Sequence, residues 1–175
     1  MPKTKKTFLG RLASEADKLF KGPKYEQYAA ICYRPATLGD GQIEILLITT
    51  RDSGRWVIPK GWPIENKQPH EVAEREAWEE AGVKGRAKKR AFGYYTYLKT
   101  LDSGDKVPSV VQVHLVEVKT VDVRFPEKGQ RSMLWLLPND ASVLVREPEL
   151  QSLLRQVDAK FRKPVSPAVP DRPNR

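Results

Sequence analysis

Apolar residues follow strand-like and helix-like periods in different parts of the chain, and their order predicts a mixed α/β domain. Runs of β-branched and aromatic residues predict strands at 25–33, 42–50, 56–59, 86–98, 109–119 and 134–137. Helical spacing of apolar residues predicts helices at 7–20, 69–81, 138–145 and 148–160. The polar stretch 60–68 is predicted to be a loop. One helix therefore separates two groups of strands, which is typical of a layered α/β sandwich.

The chain has 175 residues, enough for one domain with its own hydrophobic core. We expect this domain to comprise residues 25–160. Residues 1–24 are expected to form a basic arm that carries a short amphipathic helix. Four prolines between positions 164 and 173 favour a disordered, basic tail over residues 161–175. We see no internal repeat.

The composition excludes several classes of protein. Cys32 is the only cysteine, so no intrachain disulfide can form, and a reducing compartment is favoured. The longest apolar runs, such as 43–50, fall far short of the ~20 residues that a membrane-spanning helix needs. The basic N-terminal stretch lacks the apolar segment of a secretory signal. We therefore expect a cytoplasmic protein that does not enter a membrane.

The formal net charge of +9 lies at the two ends of the chain. Residues 1–24 carry net +5 and residues 160–175 carry net +4, whereas the body between them is neutral. A basic groove built into the fold would place its excess charge in the body. The ends are therefore interpreted as solubilising arms, with weak nucleic-acid contact through these arms as the alternative.

The helix predicted at 69–81 carries three carboxylates on one face. At about 100° per residue, Glu76, Glu79 and Glu80 share an arc about 100° wide. Two glutamates four residues apart repel each other by about 0.2–0.5 kcal/mol unless a positive charge neutralises them. A solvated acidic face is one interpretation. A site for a hard divalent cation such as Mg²⁺, which prefers oxygen ligands, is the other.

Residues 61–83, GWPIENKQPHEVAEREAWEEAGV, resemble the Nudix box, G-x5-E-x7-R-E-U-x-E-E-x-G-U with U a bulky aliphatic residue. The positions in register with this pattern are Gly61, Arg75, Glu76, Glu79, Glu80, Gly82 and Val83. Two positions depart from it, because Lys67 replaces the first glutamate and Ala77 replaces the aliphatic residue. Glu65 and Glu71 are candidates to replace the missing acid. The resemblance implies a Nudix-type α/β/α sandwich with a mixed sheet and the box helix packed on it.

The resemblance also implies an activity, the hydrolysis of a phosphoanhydride bond with Mg²⁺ or Mn²⁺ as cofactor. By position, the implied metal ligands are Gly61, Glu76, Glu79 and Glu80, and the implied catalytic residues are Glu79, Glu76 and Arg75. Glu76 and Glu80 are preferred as ligands and Glu79 as the general base, with Glu76 as the alternative base. Arg75 is expected to orient a carboxylate through charge-assisted hydrogen bonds.

The segment WVIPKGW, residues 56–62, is similar to the Nudix branch that contains diphosphoinositol-polyphosphate and dinucleoside-polyphosphate hydrolases. We expect Arg51, Arg55 and Lys60 to bind the phosphates of such an anionic small molecule, with solvated loop charges as the alternative. Other substrates that remain open are a nucleoside triphosphate and ADP-ribose or another nucleotide sugar. A non-catalytic Nudix-like module that binds RNA is the alternative of another class. The oligomeric state stays open.

Further polar residues receive simpler interpretations. Glu127 is preferred over Glu117 as an additional metal ligand, because a loop residue can reach the site. His114, within a predicted strand, is interpreted as a packed or hydrogen-bonded histidine, and Cys32 as a small core residue. The basic stretch 84–90 is interpreted as an exposed edge strand whose lysines block pairing with other chains.

Overall fold

The computed structural model describes residues 25–37, 41–101 and 103–161. The helix predicted at 7–20 and nearly all of the predicted tail lie outside the described residues. The division of the chain at residues 24 and 161 stays a prediction. No helix among the described residues is long and apolar enough to cross a membrane.

The described residues form one mixed sheet with helices on both of its faces. The strands are β1 (Tyr25–Pro35), β2 (Ile43–Thr49), β3 (Trp56–Val57), β4 (Lys60–Gly61), β5 (Val83–Ala87), β6 (Gly93–Thr100), β7 (Lys106–Val121) and β8 (Met133–Leu136). The helices are α1 (Pro69–Ala81), α2 (Pro138–Leu144) and α3 (Pro148–Phe161).

The centre of the sheet is the parallel pair β1 and β7, in which Ala29 stands opposite Val113. The strand order is β3-β2-β1-β7-β5, and β4, β6 and β8 pair with β1, β7 and β2 respectively. Every pair other than β1–β7 is antiparallel. The prediction of an α/β sandwich with a mixed sheet is therefore confirmed.

Two hydrophobic cores lie on opposite faces of this sheet, because successive side chains of a strand point to opposite sides. Ile31 of β1 packs with Leu150 and Leu154 of α3 in one core. The other core contains Cys32 of β1 and the small face of α1, which consists of Ala73, Ala77 and Ala81. These three alanines are fully buried. Small side chains let α1 lie close to the sheet, and this brings its glutamates near the strand ends.

Helix α1 begins and ends where the sequence predicts. Pro69 occupies its first turn, and the Gln68 N–H donates to Oε2 of Glu71 at 2.7 Å. Glu71 therefore caps the helix. This gives a structural role to an acid that lies near position 67, where the box expects its first glutamate. Gly82 ends the helix with φ of +70°, a left-handed conformation that favours glycine. Lys67 is exposed beside this cap.

Two predictions about the strands were wrong. The stretch predicted as a loop contains β4, whose Lys60 and Gly61 pair with β1. The single strand predicted at 86–98 is two strands, because β5 and β6 pair with different parts of β7. Between them the chain bends over His114, whose Nδ1 donates to the carbonyl oxygen of Lys88 at 2.8 Å. Strand β5 lies at the edge of the sheet, as the lysine-rich stretch predicts.

Candidate active site

A cleft of about 1150 Å³ opens where α1 meets β4 and the ends of β2 and β6. The residues that the resemblance implies as catalytic, metal-binding or substrate-binding all line this cleft, namely Arg51, Arg55, Lys60, Gly61, Arg75, Glu76, Glu79 and Glu80. The structure thus brings two segments together, the strand ends at 50–61 and the helix face at 75–80. Their individual roles stay predictions.

The carboxylate of Glu76 lies directly against the backbone of Gly61. A Cβ atom at position 61 would overlap both carboxylate oxygens of Glu76 and its Cδ atom. Position 61 is therefore occupied by glycine because a side chain there would collide with the carboxylate of Glu76. This contact places a backbone carbonyl and a carboxylate in the same small region of the cleft.

Glu80 is buried beneath the same region, with a side chain that is 10% exposed. Its Oε2 accepts a hydrogen bond from the Lys60 N–H at 3.0 Å, and its Oε1 accepts one from Nη2 of Arg131. Burial raises the pKa of Glu80, and the Arg131 charge opposes that rise. Both oxygens thus have donors, which hold the carboxylate in one orientation.

Glu76 has the most perturbed acid–base equilibrium of this cluster. Burial, followed by the negative charges of Glu80, Glu79 and Glu127, raises the pKa of Glu76 to about 7. The Arg131 charge acts in the opposite direction. Burial and neighbouring negative charge thus both disfavour the charged form of Glu76.

Arg131 was not predicted from the sequence, although it makes more polar contacts with this cluster than any predicted base. Besides Glu80, its Nε donates to Oε2 of Glu127 at 2.7 Å and its Nη1 donates to the carbonyl oxygen of Thr49 at 3.0 Å. Its side chain is only 8% exposed. The one sequence signal is its spacing of four residues from Glu127, which does not indicate proximity to Glu80.

Glu79 and Arg75 form a pair on the outer side of α1. Nε of Arg75 donates to Oε1 of Glu79 at 2.6 Å, as expected for an arginine that orients a carboxylate. Glu79 also anchors the segment after β7, because its carbonyl oxygen accepts a hydrogen bond from the Glu127 N–H at 3.0 Å. Glu127 therefore reaches the cleft. Glu117 instead pairs with Lys119 and does not line it.

The three basic residues predicted to bind substrate have different environments. Arg51 is exposed and its Nη1 lies 3.5 Å from Oε1 of Glu127. Arg55 is held by the buried Glu147, with 2.6 Å between Nη1 and Oε1. Lys60 is half-buried, and burial lowers its pKa. Arg55 is thus not the solvated loop charge that the alternative interpretation proposed.

Two aromatic residues, Trp62 and Tyr97, also line the cleft. Trp62 is 40% exposed, and Nζ of Lys99 lies 4.9 Å from its ring centroid. Nζ of Lys60 lies 5.5 Å from the ring centroid of Tyr97, whose hydroxyl donates to Oε1 of Gln27 at 2.5 Å. The cleft therefore combines carboxylates with basic and aromatic side chains.

The cluster of carboxylates fits a divalent cation by the chemistry of its donors. Glu76, Glu80 and Glu127 supply hard oxygen ligands, and the pKa of Glu76 is raised first by burial and then by the neighbouring carboxylates. Among the described residues, no three carboxylate, imidazole or thiol side chains lie close enough together to hold a metal ion in the conformation observed. Arg131 engages Glu80 and Glu127 instead.

Comparison with known proteins identifies the family. Residues 28–161 match the family model of the NUDIX domain. The chain belongs to the Nudix family. The box between Gly61 and Val83 lies within the matched region and carries Glu76, Glu79 and Glu80 of the cluster described above.

Individual relatives agree with this assignment. The chain is 28% identical to Nudix hydrolase 13, mitochondrial, of Arabidopsis thaliana over 122 residues, which are 67% of this chain and 60% of that protein. It is 37% identical to diphosphoinositol polyphosphate phosphohydrolase 3-alpha of Mus musculus over 59 residues, 33% of this chain and 34% of that protein. The chain thus spans less than two thirds of the length of either relative.

A solved structure shows the same fold. The crystal structure of the C. elegans Ap4A hydrolase superposes with a TM-score of 0.56 at 21% identity. The superposition covers 79% of this chain and 99% of that chain. The Nudix fold predicted from the sequence is therefore confirmed.

Proposed function

We propose that this Nudix protein is a hydrolase that uses a divalent cation, Mg²⁺ or Mn²⁺, to cleave a phosphoanhydride bond in a polyphosphorylated small molecule. The observation that carries this proposal is the cleft itself. Glu76, Glu79 and Glu80 line it together with basic residues that include Lys60 and Lys99. A substrate with adjacent phosphates can contact both the carboxylate-bound cation and the basic residues of such a cleft.

The reaction has two electrostatic requirements that this site can meet. Charge on the phosphate oxygens must be neutralised and a water molecule must be positioned for attack. Glu76, Glu80 and the Gly61 carbonyl oxygen would hold the cation, which supplies charge neutralisation and activates water. Glu79 is proposed as the group that accepts the proton of that water, and Arg75 keeps its carboxylate in place.

A densely anionic substrate is favoured over a substrate with few phosphates. Lys60, Lys99 and Arg146 line the cleft, and none of them makes an ion pair among the described residues. Relatives named for diphosphoinositol polyphosphate and Ap4A substrates agree with this preference. We therefore propose a diphosphoinositol polyphosphate or a dinucleoside polyphosphate as the substrate. Trp62 and Tyr97 offer apolar faces to the rest of either molecule.

A substrate panel tests this proposal. The full chain would be incubated with a diphosphoinositol polyphosphate, a dinucleoside polyphosphate, a nucleoside triphosphate and ADP-ribose, each with Mg²⁺, Mn²⁺ or EDTA. Phosphate release and product masses identify the bond that is cleaved. Hydrolysis of either of the first two substrates, lost in EDTA and in Glu80→Gln, is the expected result. Hydrolysis of ADP-ribose or the triphosphate alone would refute the substrate class.

The panel also decides between an enzyme and an RNA-binding module. If no substrate is cleaved while the chain binds single-stranded RNA at physiological salt, the enzymatic proposal is wrong. We also propose a cytoplasmic location, which rests on the single cysteine. Because the plant relative is named as mitochondrial, fractionation of cells that express the tagged chain must test it.

A further inference from the structure

Arg131 is anchored to the sheet independently of the acids that it contacts. Its Nη1 donates to the carbonyl oxygen of Thr49 at the end of β2. The neighbouring Ser132 exchanges two further hydrogen bonds with Thr49, from the Thr49 N–H to the Ser132 carbonyl at 3.0 Å and from the Ser132 N–H to the Thr49 hydroxyl at 2.9 Å. The sheet therefore fixes the position of the guanidinium, which the carboxylates of Glu80 and Glu127 contact.

The acids held by Arg131 come from two different parts of the chain. Glu80 is on α1 and Glu127 follows β7, so a single guanidinium joins two elements that both line the cleft. Arginine suits this bridging role because its planar group donates in several fixed directions. Lys60 is the other base that acts on Glu80, but only its backbone N–H bonds to that carboxylate.

We propose that Arg131 is a positioning residue that serves as a fixed internal counter-cation, holding Glu80 and Glu127 at the cleft in the metal-free protein and weakening the binding of a divalent cation there. This inference rests on one part of the proposed function, namely that these carboxylates bind the divalent cation. Its physical basis is electrostatic repulsion. The permanent positive charge of Arg131 touches the carboxylate ligands, so it raises the free energy of a divalent cation bound to them. Replacing Arg131 leaves Glu80 with the hydrogen bond that its Oε2 accepts from the Lys60 N–H.

The test measures Mg²⁺ binding by calorimetry and melting temperature with and without EDTA. The full chain is compared with Arg131→Met, which removes the charge, and with Arg131→Lys, which keeps it. Arg124→Met is the matched control, because Arg124 is exposed on the same segment and the net charge changes equally. We expect Arg131→Met to bind Mg²⁺ about tenfold more tightly. Arg131→Lys and Arg124→Met are expected to stay within about twofold of the wild type.

Stability provides the second readout. In EDTA we expect Arg131→Met to melt below the wild type, and we expect added Mg²⁺ to raise its melting temperature more than it raises that of the wild type. A residue with a merely structural role would lower the melting temperature without tightening Mg²⁺ binding. Unchanged or weaker Mg²⁺ binding by a folded Arg131→Met would overturn the proposal.

Folding defects also have defined consequences. Arg131→Gln removes the charge but keeps a donor for the Thr49 carbonyl, so it replaces Arg131→Met if that variant does not fold. Neutral variants that fold only with Mg²⁺ support the proposal, and variants that fail to fold even with Mg²⁺ overturn it. Mg²⁺ binding does not require turnover. A wild type that binds Mg²⁺ but hydrolyses nothing therefore contradicts the proposed function, whereas the comparison of Mg²⁺ affinity between the wild type and the Arg131 variants still decides this inference. Absence of Mg²⁺ binding in the wild type and in every variant overturns the inference.

Discussion

Gly61 provides a direct test of the carboxylate cluster, because one added methyl group would displace Glu76. A Cβ atom on Gly61 would stand 2.5 Å from Oε2 of Glu76 and closer to Oε1 and Cδ, whereas real Cβ contacts stay beyond 3.0 Å. The colliding atoms are the end of a flexible side chain, so the backbones of β4 and α1 need not move. We therefore expect Gly61→Ala to fold with its Glu76 carboxylate displaced.

The size of this displacement gives the magnitude of the effect. Relieving the overlap requires the carboxylate to withdraw by about 1 Å, and such a misplacement can reduce a rate by about 100-fold. A 100-fold loss in kcat/KM corresponds to about 2.7 kcal/mol of transition-state free energy. Overpacking usually lowers the free energy of unfolding by about 1–3 kcal/mol. Because the end of the Glu76 side chain is flexible, we expect the loss in Gly61→Ala to lie near the lower limit of this range. Its Tm should fall by about 2–4 °C.

The assay measures kcat/KM at saturating Mg²⁺ for the substrate that the panel identifies, together with Tm. Gly93→Ala is the matched control, because its added Cβ would overlap Cδ2 of Leu153, and neither residue lines the cleft. The control should lose stability and keep its kcat/KM. If Gly61→Ala melts below the wild type but keeps kcat/KM within about threefold, the observed position of Glu76 is not needed for the reaction and our reasoning is refuted.

Three further predictions concern the acids and the charged ends. Glu80→Gln should lower both Mg²⁺ affinity and turnover by orders of magnitude, whereas Glu79→Gln should lower kcat with little change in calorimetric Mg²⁺ affinity. Because burial and like charges raise the pKa of Glu76 to about 7, Mg²⁺ affinity should rise with pH up to about 8 and then level off. In the metal-free protein, protonated Glu76 contributes stability that is lost as the pH rises from 4.5 through about 7. Glu76→Gln should remove both trends. Deleting 1–6 and 164–175 should reduce salt-sensitive RNA binding but change kcat/KM by no more than about threefold, because exposed charges are screened at physiological salt.

Sequence reasoning was most successful where the information is local. Helix α1 has its start, its end and its three clustered glutamates within 13 residues. Proline, glycine and helical periodicity suffice to place them, since each acts over a few residues. The Nudix box extends this local pattern back to Gly61, so the family and the fold could be predicted together.

The remaining features depend on contacts between distant positions. Arg131 donates to Glu80 across 51 positions in sequence, and Arg55 pairs with Glu147 across 92. No periodicity connects such pairs. Strand β4 escaped prediction for the same reason, because a strand of two residues has no alternation to detect and is defined only by its pairing with β1.

Ion pairing also changes what the charges of the cleft can do. Composition counts every arginine of the cleft as an available positive charge, but most are already matched with acids. Glu79 holds Arg75, Glu147 holds Arg55, and Arg131 is shared by Glu80 and Glu127. A phosphate that approached these arginines would compete with a carboxylate already in contact, so its gain in binding energy would be small. The bases without such partners, which include Lys60 and Lys99, can interact with substrate phosphates without that competition. The proposed preference for highly anionic molecules is therefore expected to depend on Lys60, Lys99 and Arg146, which are unpaired among the described residues, whereas the paired arginines hold the acids in place.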